Sequence, residues 1–257
     1  MMISIMVNKT NTNSSKKNLL IVVLWIAIWQ VLSSIIKQEV LLPSPIHVLF
    51  SLLQLVKETS YYRDIFNSLY HVLYGYFLAL IFSCFLSLLS ARNQGIKSIV
   101  SPLFTFIKST PVASFILLAF LLFGSQGLSS FICFLMSLPI MYTNLLEGLT
   151  SIPKTMLDAA KVYNMSSKDQ FRYIYLPNAI PFFLSGCSVS LGLAWKSGIA
   201  AEVIGIARYS LGERLYNAKL FLDTSQLFAV TITIILLSWL SEKVILFFMH
   251  KACSLLK

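Results

Sequence analysis

Charge is the scarcest ingredient of this chain: 12% of its 257 residues are Asp, Glu, Lys or Arg, 57% are hydrophobic, and the mean hydropathy is +0.78. So few charged side chains cannot cover a soluble domain of this length, which excludes a freely soluble fold and leaves lipid as the solvent. Acid is scarcer still, with 10 Asp and Glu against 20 Lys and Arg and a formal charge of +10. On a soluble protein that excess would raise the question of nucleic acid. Here Lys9, Lys16, Lys17, Arg92, Lys97, Lys154, Lys161, Lys168, Arg172, Lys251 and Lys257 flank apolar runs and fall on one side of a single topology. Cytoplasmic retention of basic segments explains them, with no nucleic-acid partner.

Other absences narrow the chemistry. The four cysteines, Cys84, Cys133, Cys187 and Cys253, are widely spaced and form no C-x-x-C, so they read as small buried hydrophobes. His47, His71 and His250 lack zinc-ligand spacing, and no metal site is expected. No G-x-x-x-x-G-K-S/T occurs, so the chain holds no nucleotide cofactor of its own and is not an ATP-hydrolysing enzyme. A membrane-embedded enzyme would need His, Asp or Glu clustered at one depth, and the apolar runs hold almost none. An ion-coupled secondary transporter, the alternative transport reading, would need ionisable groups deep in several spans and often an inverted repeat, and neither is evident.

What is abundant is apolar sequence in runs of membrane-spanning length. Six candidate spans emerge, at about 19–36, 69–90, 99–123, 128–147, 180–200 and 224–248, giving an all-α, polytopic transmembrane helical bundle. The first run is too long for a secretory signal and no A-x-A site follows it, so it reads as a retained helix. Starting inside, six crossings leave both termini, 91–98 and 148–179 in the cytoplasm. Residues 1–18 form a cytoplasmic tail, polar and unstructured over 8–18, and 19–257 a single transmembrane domain. The third span carries Lys108, Pro102 and Pro111, and has a second reading in which 98–108 lies along the membrane face and the crossing begins near Ser109. After the first span, Pro45 opens an amphipathic helix over 46–56.

One soluble-looking piece interrupts this pattern, TSIPKTMLDAAKVYNMSSKDQFRYIYLPNA at 150–179. Thr155 with Asp158 has capping-box spacing and predicts a short helix through Ala159 and Ala160, which Asn164 closes in the left-handed conformation. Ser167 with Gln170 repeats the arrangement and predicts a second helix that Leu176-Pro177 stops. The plain alternative is an ordinary interhelical loop.

Here the chain resembles the permeases of binding-protein-dependent ABC importers, whose cytoplasmic loop carries E-A-A, three residues, G, nine residues, I-x-L-P. Asp158-Ala159-Ala160, Asn164, Ile174, Leu176 and Pro177 stand at those intervals, with Asp for Glu and Asn for Gly. The resemblance implies a type I (MetI-like) importer permease fold, and a segment at 150–179 that acts as the coupling helix on a separate ATPase. It also implies partners: a pair of ATPase subunits that hold ATP and Mg, a second copy of the permease, and an extracytoplasmic solute-binding protein, all at a bacterial cytoplasmic membrane. Leu41-Leu42-Pro43-Ser44-Pro45, Ser68-Leu69, Gly75-Tyr76, Ala194-Trp195, Ala201-Glu202, Leu211-Gly212 and Asn217-Ala218 resemble the nitrate/taurine/sulfonate (NitT/TauT-like) subfamily, which also serves bicarbonate and thiamine-precursor compounds.

Within the membrane, Lys196 and Glu202 stand six residues apart at the outer end of the fifth span, on different helix faces. With Trp195 they are candidates for the external mouth of the translocation pathway, Lys196 attracting an anion; the alternative is that both charges snorkel or pair locally. The phenylalanines at 115, 120, 123, 131 and 134 read as packing and lipid-facing surface. Gly186 and Gly192, with Ser185, Ser188 and Ser190, predict close helix packing.

Overall fold

The computed structural model describes residues 12–255, with side chains from Leu20 to Lys251. Lys9, Lys257 and most of the N-terminal tail lie outside the described residues, as do the side chains of Lys16, Lys17 and Cys253. In chain order the helices are α1 (Thr12–Ile36), α2 (Pro45–Lys57), α3 (Thr59–Arg92), α4 (Gln94–Ser109), α5 (Val112–Phe123), α6 (Leu128–Thr150), α7 (Lys154–Val162), α8 (Ser167–Gln170), α9 (Leu176–Gly205), α10 (Leu211–Leu220) and α11 (Thr224–Leu255). A π-turn, Phe171–Tyr175, joins α8 to α9, and no strand occurs among the described residues. Helix α1 starts at Thr12, so the stretch expected to be unstructured is helical from there.

Among the described residues, four helices are long and apolar enough to cross a membrane: Thr59–Arg92, Leu128–Thr150, Ser167–Gly205 and Thr224–Lys251. The third expected span is not one continuous helix over 99–123. α4 and α5 meet at 102°, and they make a fifth crossing only as a pair. Pro111 forces the break, because a residue before proline is driven out of the helical region, and Thr110 is extended at φ −83° and ψ 135°. At 12 residues α5 is about 18 Å long, well short of a ~30 Å hydrocarbon core. α1 adds a shorter apolar stretch, Leu20–Ile36, so the expected six spans become four full crossings, one broken one and one short one. α2 begins as expected, with Pro45 in its first turn and the Ser44 hydroxyl accepting the His47 N–H at 3.2 Å.

α6 sits at the centre, packed extensively on α3 and α9. Lipid gives helices no hydrophobic reason to associate, so the seam relies on close approach and interhelical hydrogen bonds. A Cβ on Gly75 would strike the Ser130 carbonyl, and one on Gly198 the Cys133 sulfur. The Ser129 hydroxyl donates to the Gly198 carbonyl at 3.2 Å, the Cys133 thiol to Ala194 at 3.2 Å, and the Tyr76 hydroxyl to Cys187 at 3.2 Å. Cys133 and Cys187 are buried and Cys84 half-buried, matching their reading as small hydrophobes. Gly186 packs on Asn144 as expected of a close-approach glycine. Gly192 does not: a Cβ there would meet nothing, and the residue lines a groove facing α11.

Candidate functional site

At one end of the bundle the chain leaves α6, makes the short helix α7, and re-enters through α8. α7 does not begin on the expected Thr155–Asp158 box. Its N-cap is Pro153, which has no side-chain acceptor to offer, and Asp158 pairs with Lys161 at 3.2 Å. Its other end is as the sequence indicated. Asn164 adopts φ +50°, its N–H reaches the Lys161 carbonyl at 3.0 Å, and the Met165 N–H reaches Ala160 at 2.9 Å. That pair of bonds is the Schellman closure, which asparagine supports because its short polar side chain tolerates the left-handed region.

The second cap is displaced by one residue. Ser166, not Ser167, is the N-cap: its hydroxyl accepts the Asp169 N–H at 3.2 Å and donates to the Asp169 carboxyl at 2.6 Å, while Gln170 reaches the Met165 carbonyl at 3.0 Å. Nor does Leu176-Pro177 end the helix, which runs on from Ser167 to Gly205. The π-turn at Phe171–Tyr175 is the reason. Its wider winding relieves the clash a proline ring makes with the carbonyl four residues earlier, and such turns arise where the ordinary ladder is interrupted.

These corrections give the segment a definite shape, a capped rod leaning on the end of a 39-residue helix. Ala160, 3% exposed, packs with Ile152 and Ile174, and Leu157, Met165 and Tyr175 surround them. Asn178 donates to the Gly148 carbonyl at 2.7 Å and to Ser151 at 3.2 Å, tying the rod's base to α6. The expected residues therefore divide by duty. Ala160 and Ile174 are buried and Leu176 half-buried, whereas Asp158, Ala159, Asn164 and Pro177 face outward. Beside them Met156, Val162 and Tyr163 are exposed, the last two at 78% and 81%. The tip of the segment is thus apolar and uncovered.

Toward the opposite end, of the three residues expected at the pathway mouth, Trp195 and Lys196 line one groove and Glu202 lies apart from it. Trp195 is buried, its indole N–H donating to Ser241 on α11 at 2.8 Å. Lys196 is exposed in an α9–α11 groove of about 470 Å³ that also holds Glu242, whose carboxyl accepts from Ser188 at 2.5 Å. Glu202 points elsewhere, toward α3 and α10, so the three do not share one mouth. Its Oε2 accepts the Ser68 hydroxyl at 2.7 Å and the Gly212 N–H at 3.1 Å; Ser68 in turn accepts the Leu211 N–H at 2.9 Å. The carboxyl thereby binds the N-terminus of α10, where the helix dipole favours it.

α10 is also held to α3 by charge. Arg214 donates to Asp64 at 2.5 Å, to Glu58 at 2.9 Å and to Ser60 at 3.0 Å, with its guanidinium 5.1 Å from the Tyr61 ring centre. Burial opposes the Arg214 charge, but the bonds to Asp64 and Glu58 outweigh it and hold the group above its ordinary value. No part of this clamp was singled out from the sequence, since its members lie about 150 positions apart.

Comparison with known proteins agrees with this architecture. Residues 83–251 match the model of the family described as binding-protein-dependent transport system inner membrane component. A probable ABC transporter permease protein of Brucella melitensis is 29% identical over 229 residues, covering 89% of this chain and 92% of the relative. A putative aliphatic sulfonates transport permease protein of Bacillus subtilis is 24% identical, covering 83% and 78% of the two chains, and a nitrate import permease protein of Synechococcus elongatus is 24% identical, covering 70% and 68%. The crystal structure of an amino acid ABC transporter with histidines superposes with a TM-score of 0.57 at 19% identity, over 79% of this chain and 96% of that one. The chain therefore belongs to the binding-protein-dependent transport system inner membrane components, the multi-pass permeases of ABC importers.

Proposed function

We propose that this permease forms the translocation pathway for a small solute of the class served by its sulfonate, bicarbonate and nitrate relatives, and that 150–179 transmits force to it from a separate ATPase. The observation that carries the reading is the rod α7: closed by Asn164, packed through Ala160 on Ile174, and presenting Ala159, Val162 and Tyr163 outward. A floppy loop would absorb an ATPase's movement, whereas a rod fixed to the start of α9 passes it to a helix that crosses the whole bundle. The basic residues Arg92, Lys154, Lys161, Lys168 and Arg172 lie at the same end as the rod, which supports placing that end and both termini in the cytoplasm. In this assembly a second copy completes the pathway, an extracytoplasmic binding protein delivers the solute, and ATP and Mg are bound by the ATPase pair.

The test is Ala159→Asp. The residue is exposed and its replacement leaves the α7 packing intact, so the chain remains folded while a charge enters the proposed contact. Co-purification of the ATPase and ATP-driven uptake are expected to fall together by at least ten-fold. Retention of both would remove the coupling role.

A further inference from the structure

Gly192 has no packing duty in the seam. A glycine inside a helix is destabilising relative to alanine, and close approach does not explain this one, because a Cβ there would meet nothing within 4 Å. It faces the α9–α11 groove of about 470 Å³, within one helical turn of Ser188 and of Lys196. Lys196 is exposed to that groove, and half-buried Glu242 enters it from α11 as the acceptor of the Ser188 hydroxyl. Both charges lie well inside the bundle: Lys196 is ~13 Å along α9 from Gly205, and Ser188, level with Glu242, is ~18 Å from Leu176. A charged side chain turned to hydrocarbon at that depth is costly, and intramembrane charges normally pair or serve a function.

Yet the two do not pair in this structure, where the ion pairs among the described residues involve other groups. Distance is the reason, since the eight residues of α9 from Ser188 to Lys196 rise ~12 Å. Helix geometry narrows that gap from both sides. Side chains lean toward the N-terminus of their own helix, and α9 and α11 are successive spans that run in opposite directions. Lys196 therefore leans toward the level of Ser188, Glu242 leans toward the level of Lys196, and Gly192 puts no side chain between them. Rival partners stand elsewhere: Glu202 borders a separate cavity of about 390 Å³ at the end of the bundle away from α7, and Lys243, next to Glu242, is not a wall of the groove.

Resting on the permease reading above, we propose that Lys196 and Glu242 form an intramembrane latch of the transport cycle: as α9 and α11 slide, Glu242 leaves the Ser188 hydroxyl and pairs with the Lys196 ammonium across the gap at Gly192. The structure holds the unlatched arrangement. Packed helices slide by small amounts in shear motions, and the flexible four-carbon stem of lysine spans what remains. Neither arrangement strands a group, because a released serine hydroxyl can bond to a carbonyl of its own helix. α9 is also the helix fixed to the rod α7, so movement there sets which partner Glu242 takes.

The experiment uses the full chain with its ATPase in lipid nanodiscs and a hydrophobic carbodiimide, which joins a carboxylate to an amine only where the two touch. The Lys196–Glu242 amide, read by mass spectrometry in chains that run as monomers, is expected to differ in yield at least ten-fold between nucleotide-free and vanadate-trapped complexes. Gly192→Leu, which fills the gap and strikes no neighbour with its Cβ, should abolish the link while the chain stays folded and bound to the ATPase. Lys196→Glu and Glu242→Lys should each abolish it, and the two together should restore it with the roles exchanged. Absence of the link in both nucleotide states, equal yield in the two, a link that survives Gly192→Leu, or one formed only between two copies would overturn the proposal. Failure of the chain to recruit an ATPase, with the link present in the chain alone, would instead sink the permease reading and leave the pairing standing.

Discussion

Single positions decide the stiffness of the rod α7. Asn164 holds a left-handed turn that a β-branched residue adopts only at a cost of about 1–2 kcal/mol, whereas glycine adopts it freely. Asn164→Val should therefore speed hydrogen exchange of the α7 amides by about 5- to 30-fold, and Asn164→Gly should leave them near wild type. Equal exchange in the valine variant would mean that the closure does not stiffen α7. Asn164 was readable in the sequence because a helix end is a local event. The Ser166 cap was mislocated by one position because Ser166 and Ser167 stand side by side, and spacing to Gln170 or to Asp169 favours each in turn. Glu202 stood out as a charge in an apolar run, yet Ser68, 134 positions away, was beyond any local pattern. The stretches that carried the subfamily resemblance prove to be contact points: Ser68 and Gly212 meet around Glu202, and Gly75 lets α3 approach α6.

Elements join these residues into levers. The π-turn at Phe171–Tyr175 is equivalent to one extra residue in an α-helix, so it sets the rotation of α8 relative to α9. Deleting Tyr173, whose side chain is exposed, should restore ordinary winding and swing the preceding segment by about 100°. Cross-membrane helices would survive, and ATP hydrolysis and uptake should become uncoupled by at least ten-fold in reconstituted vesicles. Uptake per ATP equal to wild type would show that register at the turn is irrelevant. Span positions were legible because about twenty apolar residues leave a plain signature, and the break at Pro111 followed from proline chemistry. The continuation through Pro177 was not, since proline normally ends a helix and nothing in one sequence announces a π-turn.

Across the whole molecule, two ends with different chemistry face each other through a seam of small residues. One end carries basic residues and the apolar-tipped rod; the other carries the Arg214 clamp and the Glu202 cavity. α9 joins the two ends, since it begins beside Ile174 and carries Glu202 near its far end, and α6 joins them too, tied to the rod's base by Asn178 and carrying Ser129 near its other end. Fold class and transport role were legible from hydropathy and the loop motif, while the division of Trp195, Lys196 and Glu202 between two cavities depended on helix rotation that hydropathy does not encode. The most direct test of the account is a single cysteine at Tyr163, 81% exposed at the rod's tip. In intact cells Tyr163→Cys should resist a membrane-impermeant maleimide and, in inverted vesicles, cross-link to the ATPase subunit in an ATP-sensitive manner. Labelling from outside the cell, or a tip that reacts freely while the ATPase is bound, would contradict it.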